Sequence, residues 1–192
     1  MKVEPIPTGR AKFEEGSHLR ILLPPKRHAF GILFLLAWTV GWFFGERSAI
    51  QQITASKDLA ANGFLLVWLA GWTLGGAFVI FAILWMTGGR EVLELRSDVL
   101  VHRRAVFGFG TSRAYALEQI RAMRLGPASP TPFDFSGERR ATSALVALGV
   151  TGGPIVFDYG AKTVRCGAVL DEAEAKQIIE RMIQRDRRLS AA

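Results

Sequence analysis

The stretch LLAWTVGWFFG, Leu35 to Gly45, returns thirty residues later as LLVWLAGWTLG, Leu65 to Gly75, with Leu, Leu, Trp, Gly, Trp and Gly at matched places. Around each copy the chain carries no charge. From Ala29 to Gly45, and again from Gly63 to Thr87, there is no Asp, Glu, Lys, Arg or His. As helices, these runs of 17 and 25 residues are ~26 Å and ~37 Å long, against a hydrocarbon core of ~30 Å. The second spans if tilted. The first is extended by Arg27 and Arg47, whose apolar stems can snorkel. A secretory leader does not fit, because no small-residue cleavage site falls between the first apolar run and the second. Two buried helices of a soluble core are the competing reading, but a small soluble domain has little room for two charge-free runs of this length. The pattern predicts a transmembrane hairpin with spans at 29–45 and 63–87.

The segments outside the spans orient it. Residues 1–28 carry six Lys/Arg against three Glu, residues 46–62 balance at zero, and residues 88–192 carry sixteen Lys/Arg against twelve acids. The positive-inside bias places both termini in the cytoplasm and 46–62 outside, as a short extracytoplasmic loop of an inner-membrane, multi-pass protein. The formal charge of +7 then faces anionic lipid headgroups. It is diffuse and comes with no nucleic-acid motif, so nucleic acid is not an expected partner. The single Cys166 excludes an intramolecular disulfide and any zinc site made of cysteines.

Within an antiparallel hairpin, Trp38 lies near the depth of Trp72 and Trp42 near that of Trp68. Each tryptophan pair, at i and i+4, forms one stripe. Gly41/Gly45 and Gly71/Gly75 form an adjacent stripe at GxxxG spacing, which permits close approach of helix backbones. Three uses compete: a tightly packed hairpin with an aromatic belt, a docking face for another membrane protein's helix, and a pigment, quinone or substrate site. Neither span holds a His or an ionisable residue of the kind that transporters and pumps use.

In residues 1–28, a short alternating stretch from His18 to Leu23 is stopped by Pro24-Pro25, and Lys26, Arg27 and His28 follow as surface anchors. After Gly88 the pattern changes to strand-length units. EVLELRSDVLVHRRAVFGFGTSRAYALEQI alternates apolar and polar residues, with breaks at Ser97-Asp98 and at Gly108 and Gly110. IRAMRLG predicts a further strand, PASPTPFDFSGERRAT a mobile loop, and SALVALGV, PIVFDYG and AKTVRCGAVL the last strands. Residues 171–188 predict an amphipathic helix: Asp171 and Glu174 form a capping-box-like start, and Ile178, Ile179, Met182 and Ile183 an apolar face. The chain reads as an α+β membrane protein. About seven strands closed by a C-terminal helix predict a small antiparallel β-sandwich or barrel over 88–192.

That order of elements resembles the pleckstrin-homology (PH) superfold, and the whole chain resembles small bacterial membrane proteins with two transmembrane helices and a cytoplasmic PH-like domain. The likeness is carried by REVLELRSDVLVHRRAVFGFGTSRAYALEQI, with Gly110, Tyr115, Leu117 and Ile120, and by FDYGAKTVRCGAVLDEAEAKQIIERM. The resemblance implies a non-enzymatic, membrane-anchored interaction module that recruits, assembles or stabilises a membrane protein complex. The alternative is a module that responds to anionic lipid, with Arg96, Arg103, Arg104 and Arg113 as candidate headgroup contacts; the Lys-x-Gly arrangement of phosphoinositide-binding PH domains is absent. Enzyme motifs are absent as well, and no cofactor or metal is expected. Asp158, Tyr159 and Lys162 flank a glycine turn and read as turn residues, and Cys166 as a small core residue. Expected partners are membrane lipids and another membrane protein or complex, with a second copy of this chain left open.

Overall fold

The computed structural model describes residues 11–25, 29–55, 59–126 and 152–190, together with 148 and 150. The predicted loop over 127–142, and nearly all of the strand predicted at 143–150, lie outside them. The chain divides into two compact units. One is the helical hairpin, 27–87. The other joins the segments on either side of it, up to residue 26 and from Gly88 onward.

In the first unit, α1 (Ala29–Ala55) and α2 (Leu59–Gly88) are both long and apolar enough to cross a membrane. Within the two charge-free runs the open surfaces are largely apolar: Phe30 is 83% exposed, Val67 76% and Leu74 73%. The loop expected at 46–62 is mostly helix. Glu46 and Arg47 end a charge-free run, but charge does not end a helix; ERSAIQQITA holds no Pro or Gly. Only 56–58 separate the two helices.

The second unit is built on two antiparallel sheets. β1 (Lys12–Glu15), β2 (Leu19–Leu23), β3 (Gly89–Leu95), β4 (Val99–Val106) and β5 (Phe109–Ala116) form a five-stranded sheet in sequence order. After a 3-10 turn at Leu117–Gln119, β6 (Ile120–Leu125), β7 (Ile155–Tyr159) and β8 (Lys162–Cys166) form a three-stranded sheet. The sheets do not close into a barrel among the described residues. Residues 12–23, read from sequence as part of a separate N-terminal segment, belong to this unit: Leu19, Ile21 and Leu23 pair with Leu95, Leu93 and Glu91. The helical hairpin is therefore inserted between two neighbouring antiparallel strands.

One core holds both sheets. Leu19, Ile21, Leu93, Leu95, Leu100 and Tyr115 from the first meet Ile120, Met123, Ile155 and Phe157 from the second. The helix α3 (Glu172–Arg185) adds Ala175, Ile178, Ile179 and Met182 to the same cluster. The capping box at its start is present: Asp171 accepts from the Glu174 N–H at 2.8 Å, and Glu174 accepts from the Asp171 N–H at 3.3 Å. Beyond α3, Leu189 is fully buried in the same core. Arg188 donates to the Ser97 carbonyl, and Arg185 to the Gly16 carbonyl at 3.1 Å. The terminal arginines thus tie the helix end to two sheet turns.

The β4–β5 turn is Phe107-Gly108, with φ of 49° and 93°, the signs of a type I′ hairpin. Gly110 is not a turn residue but lies inside β5. A Cβ there would stand 1.9 Å from the Arg104 carbonyl oxygen, so only glycine permits that strand approach. The spaced Tyr115, Leu117 and Ile120 that follow are all core residues. A register shift in the β6–β7 ladder between Arg121 and Arg124 coincides with Ala122 at φ 49°.

Candidate functional site

Three sets of polar or aromatic residues could carry function. In the hairpin, the tryptophans predicted to share one face come together around Trp72. Its ring centroid lies 4.8 Å from that of Trp68, in a stacked arrangement, and 6.1 Å from that of Trp38. Trp42 does not pair with Trp68. Its Nε1–H donates to the Trp72 carbonyl at 3.1 Å, and its ring lies on Gly76, where a Cβ would stand 2.1 Å from it. Gly45 faces the Trp72 ring, 3.8 Å from a built Cβ. Gly41, Gly71 and Gly75 face nothing within 4 Å. The close approach between the helices is made at Gly45 and Gly76, and the 41/71/75 glycines are left open.

The four arginines proposed for headgroups do not converge. Arg96 sits at the β3–β4 turn and bonds Glu94 at 2.8 Å. Strand alternation puts Arg104 and Arg113 on the core-facing side of the sheet, through the pairs Glu91–Arg104 and His102–Arg113, while Arg103 faces the other way. Arg104 is engaged inside, reaching Glu91 and the Arg165 carbonyl, both at 3.4 Å. Arg103 folds back along its own hairpin and donates to the Gly108 carbonyl at 3.0 Å. Arg113 is exposed beside β4.

The third set was not read from the sequence. Glu91, 2% exposed, accepts from His102 Nε2 at 2.6 Å, from the Gly167 N–H at 3.1 Å, from the Ala168 N–H at 3.3 Å and from Arg104. An ionised carboxylate only accepts, so His102 carries its proton on Nε2. Burial pushes the Glu91 carboxyl up, but the hydrogen bond and charge of His102, with Arg104 and the Gly167 N–H, outweigh it and hold the group below its ordinary range. Burial and the nearby Glu91 charge push the Cys166 thiol up, so the cysteine is an inert core residue. The carboxylate of β3 thus anchors the loop after β8, joining one sheet to the other. Asp158, next to Tyr159, is bound by Arg124 at 2.6 Å and by Thr163 at 2.8 Å, and Arg124 holds its carboxyl below the usual range.

No protein family, curated protein or solved structure matches this chain. The Glu91 carboxylate is enclosed and satisfied by main-chain and side-chain donors, an arrangement suited to holding two sheets together. What the chain presents to solvent is a polar face of α3, with Glu172, Lys176 and Glu180 exposed at i, i+4 spacing, and the tip of the β4–β5 hairpin.

Proposed function

We propose that the chain is a non-enzymatic, membrane-anchored interaction module: α1 and α2 cross the inner membrane, and the β unit recruits, assembles or stabilises a membrane protein complex at the cytoplasmic face. The observation that carries this reading is the pairing of β2 with β3 across the hairpin. Two apolar helices inserted between adjacent strands return the chain to one folded unit, so both flanks occupy one side of a bilayer. The excess of Lys and Arg on those flanks makes that side the cytoplasm. Anchoring holds the unit within nanometres of the bilayer and raises its effective concentration for other membrane components. The run of strands ending in a C-terminal helix supports a PH-like unit, here with two strands contributed from before the hairpin. The open Gly41, Gly71 and Gly75 and the exposed face of α3 are the surfaces on which a partner would dock.

Cross-linking in intact membranes, purification in mild detergent and mass spectrometry test the proposal. A stoichiometric membrane-protein complex that Gly71→Leu dissolves, while the hairpin stays intact, is the expected result. Recovery of the chain alone with enriched anionic lipid would replace this reading by the lipid-responsive one.

A further inference from the structure

The tip of the β4–β5 hairpin combines features that solvent exposure alone does not explain. Phe109 is 86% exposed and Phe107 58%. Phe107 also adopts φ 49°, a left-handed conformation normally left to Gly, Asn or Asp at this turn position. A strained backbone bearing an exposed aromatic ring points to a use for the ring.

Register places the tip. Gly89, the residue after α2, pairs with Val106, and Val106 pairs with Phe109, so the three stand level across the sheet, with Phe109 about 10 Å to the side at two strand spacings. The Phe107-Gly108 turn projects beyond that level, at the end of the sheet where β3 begins. It is fixed there: the Phe107 N–H donates to the Gly88 carbonyl at 3.0 Å, and the Phe107 ring covers Gly88, where a Cβ would stand 2.5 Å from it. Gly88 is the last residue of α2. Two cations lie on the strands that lead to the tip, on the other face of the sheet from Phe109. Arg103 reaches back to the Gly108 carbonyl at 3.0 Å, and Arg90, one residue past Gly89, is exposed. The opposite end of the sheet, at Ser97, lies about 26 Å away along β3.

We propose that this tip is a lipid-inserted wedge: Phe109 and Phe107 enter the headgroup–acyl boundary beside the exit of α2, and the Arg103 and Arg90 guanidiniums meet anionic lipid phosphates. The occupant is the same bilayer that α1 and α2 cross, so the proposal rests on the membrane-anchor reading. Aromatic rings with an apolar body favour that boundary, and each arginine close to an anionic surface adds attraction. The wedge gives the unit a second attachment beside the covalent one and so fixes its orientation on the membrane. A single helix exit would leave it free to swivel.

The test uses the full chain reconstituted in phosphatidylcholine–phosphatidylglycerol vesicles, in a Cys166→Ala background, with an environment-sensitive fluorophore at one introduced cysteine. Phe109→Cys reports the wedge, Leu74→Cys the spanning helix and Ser97→Cys the far end of the sheet. The expected result is strong quenching at 109 by lipid carrying a nitroxide near the headgroup, strong quenching at 74 by nitroxide deep in the chains, and near-absent quenching at 97. Quenching at 74 without quenching at 109 overturns the wedge and leaves the tip to solvent or a protein partner. No quenching at 74 overturns the anchor reading, and the wedge with it.

Discussion

Glu91 lies in the strand sequence EVLEL, yet its carboxylate is as buried as the leucines beside it. Strand alternation puts Glu91, Leu93 and Leu95 on one face, so the charge points into the core. It is tolerated there because His102, Arg104 and two backbone N–H groups converge on it. Glu91→Ala would leave a buried histidine, an arginine and two amide donors without their acceptor, and should destabilise the β unit by about 3–5 kcal/mol. A melt of the sheet signal in detergent by circular dichroism measures this. The same carboxylate sets a pH dependence. Its folded-state pKa lies below the ordinary 4.5, so the unfolded chain takes up the proton first as pH falls. The network's contribution is complete above that ordinary value and is lost as pH drops through the folded one. Wild-type protein should lose melting temperature below pH 4.5, and Glu91→Gln, starting lower, should show a shallower slope. An unchanged slope would assign the acid sensitivity to other carboxylates. Nothing local in the sequence marks Glu91. Its partners stand 11, 13, 76 and 77 residues away, and a charge in an alternating strand ordinarily faces water.

Among the elements, the two packed helices and the terminal helix permit separate tests. In the hairpin, Gly76 lies under the Trp42 ring while Gly71 faces open space. Gly76→Leu should therefore force the helices apart at a cost of about 1–3 kcal/mol. Gly71→Leu should leave the hairpin's own stability unchanged. Thermal unfolding in detergent separates the two, and equal losses would mean that the helices pack on a different face. For α3, Asp171→Ala removes the side-chain half of the capping box and should cost about 1 kcal/mol, read as a drop in the melting temperature of the β unit. The capping box was legible in the sequence because it depends on four consecutive residues. The tryptophan stripes were legible as stripes, since i and i+4 fall on one helix face. Which glycine would receive which ring was not, because the depth at which two helices match depends on how they cross. Repetition put Trp42 near the depth of Trp68, and its ring lies on Gly76, one position past the repeated phrase. Gly110 shows the same limit: its type suggested a turn, and its use is a close strand approach fixed by the neighbouring β4 backbone.

At the scale of the whole molecule, the decisive relation is between two strands separated by the entire hairpin. His18 to Leu23 could be read as an alternating stretch, but no local signal says that its partner lies about seventy residues on, past two apolar helices. Without β2, the inner face of β3 would lose Leu19, Ile21 and Leu23, each no more than 4% exposed. The fragment 88–192, although it contains most of the β unit, should therefore fail to fold as a stable species. The complementary design follows from the register. Leu23 pairs with Glu91, so the end of β2 lies beside the start of β3. A short Gly/Ser turn in place of residues 26–87 would convert the insertion point into an ordinary β-hairpin. The chain made of 11–25, that turn and 88–190 should fold without a membrane, with dispersed amide resonances and a cooperative melt, while 88–192 alone gives neither. If both fragments fold equally well, β1 and β2 are accessory to the core. If neither folds, the helices contribute to the stability of the β unit, and the hairpin is more than an anchor.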